Sequence, residues 1–236
     1  MRLITPLFVA GALVSGGAFA QTLSPDKANT ESAFRALSED LGSALSFKPM
    51  IPAEPLGLLG FDIGLGVSKT TLANAKEYGA AIENDTSIYM PTVRAHKGLP
   101  FGIDIGLAYA KVPGSNMKYT AGELRYAILD GGIAMPAIAV RGSMSKLTGV
   151  DDIDFSTKSL DVSISKGFLM IKPYVGVGKV WVSSDAKWTG ASFSESFSMN
   201  KAYAGIGVNL LLVNFNVEAD KTGDSKSVSA KVGFRF

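Results

Sequence analysis

Histidine occurs once, at His96. An imidazole becomes a general base when a hydroxyl or a carboxylate lies beside it. His96 precedes the segment Lys97-Gly-Leu-Pro100, which has the composition of a tight turn, and the expectation is a solvated turn residue with no catalytic part. Gly176-Val-Gly-Lys179 has the glycines and lysine of a phosphate loop, but Val180 stands where Ser or Thr would bind magnesium. Asp151-Asp-Ile-Asp154 could open a calcium loop. With Asp152 at position one, Thr157 replaces the required glycine and Ser163 the bidentate glutamate, so that pattern fails as well. Cysteine is absent, which removes thiolate metal sites, cysteine nucleophiles and disulfides. The residues point to no catalytic group, no cofactor and no metal. What is left is a set of charges at alternating positions: Asp62, Asp104, Glu123, Arg125, Arg141, Glu218, Lys231 and Arg235.

The elements that carry these charges have a period of two. Gly60 to Lys69 sets Phe61, Ile63, Leu65 and Val67 against Asp62, Gly64, Gly66 and Ser68; Ser227 to Phe236 sets Val228, Ala230, Val232, Phe234 and Phe236 against Ser229, Lys231, Gly233 and Arg235. Such alternation marks strands with two unlike faces. Similar segments fall at Thr86 to His96 (weakly), Phe101 to Lys111, Lys118 to Ile128, Ala134 to Lys146, Ser156 to Lys166, Phe168 to Val182 and Lys201 to Leu211. The apolar parity switches between Leu211 and Asn214, which requires a turn there and a further strand through Phe215 and Val217. The count is ten, with eight or twelve as the alternatives. Gly60-Phe-Asp-Ile-Gly-Leu65 is echoed by Gly102-Ile-Asp-Ile-Gly-Leu107, each with a lysine (Lys69, Lys111) seven residues past its aspartate. One helix precedes the strands: Phe34, Leu37, Leu41 and Leu45 recur at spacings of three and four within Ser32 to Ser46. The segment Lys48-Pro-Met-Ile-Pro-Ala-Glu-Pro55 cannot continue it and must run extended.

The 236 residues are 47% hydrophobic and 19% charged, with a mean hydropathy of +0.22 and 26 glycines. Beyond residue 20 no run approaches the roughly 18 apolar residues of a membrane helix. A formal charge of +2 argues against a nucleic-acid binder. Residues 1–20 read as a cleaved export leader, with Arg2, an apolar run from Leu3 to Val14, and Ala18-Phe-Ala20 before the cut. Residues 21–57 then form a periplasmic helix and proline-rich lead-in, the helix either plugging the lumen or packing at its periplasmic mouth, and 58–236 the strand domain. Two kinds of sheet fit the alternation: a sandwich in water, or a barrel whose apolar face meets lipid and whose charges line a lumen. Short connections (97–100, 129–132, 166–167) alternating with longer ones (70–85, 183–200) favour the barrel.

The export leader, the alternating strands of about ten residues and the C-terminal Phe234-Arg-Phe236 resemble a Gram-negative outer-membrane β-barrel protein. The resemblance implies an all-β, antiparallel, transmembrane up-and-down barrel of about ten strands with a short N-terminal amphipathic helix. It implies residence in the outer membrane, in contact with its lipid and lipopolysaccharide, and Phe234 and Phe236 as the signal read by the barrel-assembly machinery. Tyr89, Phe101, Tyr109, Tyr126, Phe168, Tyr174 and Trp181 are candidates for its interfacial aromatic belts. The expected function is a small non-enzymatic barrel whose inward charges pair across a largely plugged lumen. Its rivals are a passive solute channel, with room left by Gly64, Gly66, Gly102, Gly106, Gly205 and Gly207, a lipid-modifying enzyme using His96, and adhesion through Trp188, Phe193 and Phe197 in the 183–200 loop.

Overall fold

The computed structural model describes residues 30–79, 86–112, 116–132, 134–150, 152–188 and 191–236. The leader read at 1–20 lies outside them. Helix α1 (Glu31–Leu45) is followed by ten strands: β1 (Phe61–Thr71), β2 (Ser87–Gly98), β3 (Ile103–Lys111), β4 (Lys118–Asp130), β5 (Ala137–Thr148), β6 (Ile153–Ser165), β7 (Ile171–Trp188), β8 (Ala191–Leu210), β9 (Val213–Thr222) and β10 (Ser225–Arg235). Each strand pairs antiparallel with its sequence neighbours, and β10 pairs with β1, so the sheet is a closed ten-stranded up-and-down barrel. Closure leaves the sheet without an edge strand, the condition for crossing lipid with strands.

The chain enters β1 at what we term the turn end, where residues 99–102, 131–136, 166–170 and 211–212 connect the strands. The β8–β9 turn is made without glycine or proline because Leu211 itself takes a left-handed conformation (φ 56°). The opposite, hairpin end is not uniformly longer. Residues 183–200, expected to be a loop, continue β7 and β8 outward as a paired ribbon, with Ser183 opposite Ser196 and Ala186 opposite Phe193.

The faces follow the period of two, but their polarity changes along the strands. Near the turn end the outer face is apolar (Ile63, Leu65, Val67, Ile105, Leu107, Val162, Ile164, Val232) and the lumen is charged. Exposed Leu58, Leu59, Phe101, Leu169, Leu211 and Leu212 extend that apolar exterior around the turns. Near the hairpin end the arrangement inverts. Ser156, Asp185, Ser194 and Ser198 face out, while Ile88, Met90, Phe155, Val182 and Met199 face in.

Helix α1 occupies this apolar part of the lumen. Thr30 caps it, its hydroxyl accepting from the Ala33 amide at 3.2 Å, and the Ser46 amide closes the last turn on Gly42 O at 3.1 Å. Eleven of its fifteen residues are buried, because the wall from β5 round to β1 surrounds it. Gly42 permits that fit: a Cβ there would lie 2.7 Å from both Met199 and Val182 side-chain carbons. The helix begins against the ribbon, where Phe34 stacks on Phe193 at 5.5 Å and Arg35 bonds Glu195 at 3.0 Å. From Ser46 the chain descends through the lumen to Leu56 and turns at 57–60 into β1. Of the two placements expected for the helix, the lumen and the periplasmic mouth, it takes the lumen. Its apolar stripe needs an apolar wall, and only the interior of the hairpin end supplies one.

Candidate functional site

The lower lumen is a set of carboxylates, most of them held by a cation from the wall. Arg125 grips Asp104 with two nitrogens, at 2.6 and 3.1 Å; the two are direct partners across β3 and β4. Lys231 and Arg235 of β10 close on Asp62 at 2.6 and 3.0 Å. Arg141 bridges two acids, Glu123 at 2.6 Å and Asp161 at 3.1 Å, and the Tyr203 hydroxyl donates to Asp161 at 2.5 Å. Glu218 accepts from the Tyr174 hydroxyl at 2.9 Å. Apart from Arg235 at the rim, all of these side chains are buried. Buried charges survive when paired or hydrogen-bonded, and each of these carboxylates has at least one ion-pair or hydrogen-bond partner.

The same wall groups hold the extended segment 46–56. This strap has no secondary structure, so its backbone polar groups need partners elsewhere. Pro49, Pro52 and Pro55 remove three amide donors from the requirement. Arg94 donates to Lys48 O at 2.5 Å, Lys201 to Phe47 O, and Arg125 to Pro52 O at 2.5 Å and Glu54 O at 3.3 Å. The Met50, Ala53 and Leu56 amides donate to Glu218 (2.8 Å), Ser165 Oγ (3.1 Å) and Asp104 (3.0 Å). Lys48 reaches outward to Asp220 at 2.9 Å and Ser227 at 3.0 Å, and Lys172 of β7 pairs with Glu54. Guanidinium and ammonium groups thus accept the role that strand neighbours play in a sheet.

Higher up, Asp40 of α1 fastens the 72–79 segment. Its carboxylate accepts from the Ala73 and Asn74 amides (3.0 and 2.9 Å), the Tyr78 hydroxyl (2.9 Å) and Ser225 Oγ (2.5 Å). Burial raises this carboxyl above its ordinary 3.8, and burial, followed by the adjacent Asp40 charge, raises the Tyr78 phenol.

All eight charges singled out in the sequence face the lumen, and they form three groups: Asp62 with Lys231 and Arg235, Asp104 with Arg125, and Glu123 with Arg141, while Glu218 meets the strap. Sequence reasoning passed over Lys48, Arg94, Asp161, Tyr203 and Lys201. Parity alone would have placed the strand residues among them on the inner face. His96 is corrected: it is buried in the lumen with Nε2 3.2 Å from Glu123 Oε1, because β2 extends through Gly98 and position 96 keeps inward parity. Among the described hydrogen bonds none joins His96 to a Ser or Thr hydroxyl, and among the described residues no three His, Asp or Glu side chains cluster for a metal. Tyr174 is likewise corrected from an interfacial to a lumenal residue, whereas Tyr89, Phe101, Tyr109, Tyr126, Phe168 and Trp181 are exposed.

Larger side chains lie against several of the inward glycines. A Cβ on Gly106 would collide with His96 and Glu123, one on Gly205 with Tyr174, and one on Gly207 would come within 3.2 Å of Pro52 and nearer still to Asn216. Phe193 turns toward Phe34, and Arg35 lies 3.8 Å above the Phe197 ring, so these aromatics cover the helix rather than face outward as an adhesive loop. The arrangement holds a segment of the protein's own chain inside the lumen.

Three solved structures illustrate what this chain is similar to. The N-terminal β-barrel domain of Pseudomonas aeruginosa OprF has 13% identity, with 76% of this chain and 99% of that one covered and a TM-score of 0.39. LpxR from Salmonella typhimurium has 10% identity, coverage of 72% and 99%, and a TM-score of 0.40. The attachment invasion locus protein Ail of Yersinia pestis has 12% identity, coverage of 75% and 97%, and a TM-score of 0.33. No curated protein matches the chain. A model of a family of unknown function, DUF6588, matches residues 65–236, and the chain belongs to that family.

Proposed function

We propose that this DUF6588 member is a non-enzymatic outer-membrane barrel, exported by its leader, whose lumen is permanently shut by its own N-terminal segment. The observation that carries the reading is the strap: eight of its backbone groups, from Phe47 O to Leu56 N, are bound by wall side chains. The 72–86 connection and the outward β7–β8 ribbon make the hairpin end the longer-reaching one, and longer connections face the cell surface, so the turn end is periplasmic and α1 begins at the surface. The last strand supports the same reading. Phe234 and Phe236 are exposed and Phe236 exchanges backbone bonds with Phe61 at 2.9 and 3.1 Å, which supports a role for these residues as the signal read during assembly.

The test is single-channel recording of the mature protein refolded into a planar bilayer, its folded state verified by heat-modifiable gel migration. Folded protein that gives no steps above the lipid baseline is the expected result. Discrete, reproducible steps from folded protein would overturn the shut lumen and favour a solute path.

A further inference from the structure

On the outer wall, β4 and β5 each place a glycine, Gly122 and Gly142, on the lipid-facing side. Nothing lies within 4 Å of where a Gly142 Cβ would stand, and the nearest atoms to one on Gly122 are 3.7 Å away. The result is a furrow of about 590 Å³ between Leu107, Leu124 and Met144, and its lining is almost wholly apolar. Lys158 stands at its upper edge, directly opposite Met144 across β5 and β6.

Lys158 is not alone at that level. Lys111, Lys118, Lys146, Lys158 and Lys179 face outward on the five successive strands β3 to β7. Lys111 and Lys118 are direct cross-strand partners, as are Lys221 and Lys226 on β9 and β10. Like charges directly opposed destabilise a sheet unless something anionic lies between them. The local acids offset only part of this: Asp154 pairs with Lys146 at 3.3 Å and Asp224 with Lys221 at 3.6 Å, while Asp185 faces Asp154 one step above. The height is also regular. Ten residues separate Leu59 from Lys69, Phe101 from Lys111, Leu169 from Lys179 and Phe236 from Lys226. At a rise of about 3.3 Å and a tilt of about 40°, ten residues span roughly 25 Å, the height of an outer-membrane apolar band. The lysines therefore stand where phosphates of the surface-facing leaflet begin, and the furrow descends from them into the acyl layer.

We propose that this wall seats a phosphorylated lipid of that leaflet, one acyl chain in the Gly122–Gly142 furrow and its phosphate against Lys158, Lys146 and Lys118. The site rests on the membrane reading given above. Trp181, exposed and directly opposite Lys158 on β7, reports on it. With Trp188→Phe removing the other indole, the protein is reconstituted in brominated phosphatidylcholine vesicles, and unbrominated bisphosphorylated lipid A is added in increasing fraction. Relief of Trp181 quenching gives the association constant of lipid A relative to phosphatidylcholine. The expected value is severalfold above one, falling to about one for dephosphorylated lipid A, for Lys158→Gln and for Gly142→Leu, whose side chain enters open space. Equal constants for the two forms of lipid A, or a preference untouched by both substitutions, would overturn the seat. Absence of any quenching by the brominated lipid in folded protein would instead overturn the membrane reading on which it stands.

Discussion

Arg125 and Arg141 are both buried, both paired with carboxylates, and differ in their other partners: Arg125 also holds the strap, whereas the described partners of Arg141 all belong to the wall. Replacing Arg125 by Leu strands one buried acid and replacing Arg141 strands two, each at a cost of at least about 3–5 kcal/mol to global stability. Only Arg125→Leu additionally frees Pro52 O and Glu54 O. A hydrogen bond from a charged donor contributes about 1.5–3 kcal/mol; counting the 2.5 Å bond in full and the 3.3 Å bond as weak gives about 2–4 kcal/mol of lost anchoring. Every 1.4 kcal/mol is a factor of ten, so the local opening of the strap should become roughly 30- to 1,000-fold more frequent. Because the chain has no cysteine, Ala53→Cys installs a single thiol at a fully buried point of the strap. Its reaction rate with a small hydrophilic maleimide, measured in detergent-solubilised folded protein, reports that opening. Arg125→Leu should accelerate labelling by at least about 30-fold, and Arg141→Leu by only a few-fold despite at least as large a fall in the unfolding midpoint. Equal acceleration by both, or less than threefold by Arg125→Leu, would refute the claim that the wall cations latch the strap.

Further outcomes follow from the same geometry. Ser32→Cys, at the exposed start of α1, should react with an impermeant maleimide on intact cells, while Leu58→Cys at the turn end should react only after permeabilisation; the reverse pattern would invert the barrel. Gly176→Ala, whose Cβ would collide with Tyr203, should lower stability by about 1–3 kcal/mol in denaturant titrations, against about 0.5 or less for Gly142→Ala, which meets open space. Asp40 lies on the helix above the membrane level, and burial raises its carboxyl. Folding then binds its proton more tightly than the unfolded chain does, so its contribution to stability falls as pH rises from about 3.8 through the folded value and is flat outside that window. Asp40→Asn should remove that limb from the stability–pH curve, and persistence of the limb would assign it to another group. His96→Ala should leave the membrane's lipid A composition unchanged, since the imidazole is enclosed by the wall and faces Glu123 rather than a hydroxyl nucleophile; an altered composition would revive the enzyme reading.

Strand number, the closed fold and the inward sense of the charges were legible because a half-buried strand writes its two faces in alternate letters. The repeat shows how far this reaches. Asp62 and Asp104 point inward at the turn end, and Lys69 and Lys111, an odd seven residues on, point outward near the other edge of the apolar band. What alternation could not give was register: that Arg125 meets Asp104 and Arg141 meets Glu123 depends on cross-strand pairing, which no local pattern encodes. β2 looked weak for a different reason. Ile88 and Met90 face the apolar part of the lumen while Val93 faces lipid, so the apolar parity changes within one strand. The ribbon was misread as a loop on the same ground, since Phe193 and Met199 are odd and inward while Ile206 and Val208 are even and outward.

That inversion also explains why the plug has two chemistries. Below the lysine level the lumen is ionic, and what fills it is a strap of carbonyls, prolines and Lys48. Above it the lumen is apolar and the exterior polar, as in a water-soluble protein, and what fills it is Phe34, Leu37, Leu41 and Leu45 of α1. Fully burying one such side chain is worth about 1.5–3 kcal/mol, so these four contribute about 6–12 kcal/mol, comparable with the whole stability of a domain. Ejecting the helix would lose that and wet Ile153, Phe155, Val180 and Val182 as well. A gate that opened by releasing its plug would need a gap of a few kcal/mol between states. The helix is instead part of the hydrophobic core of the hairpin end, and on the reading proposed above a plug that belongs to the core stays in place.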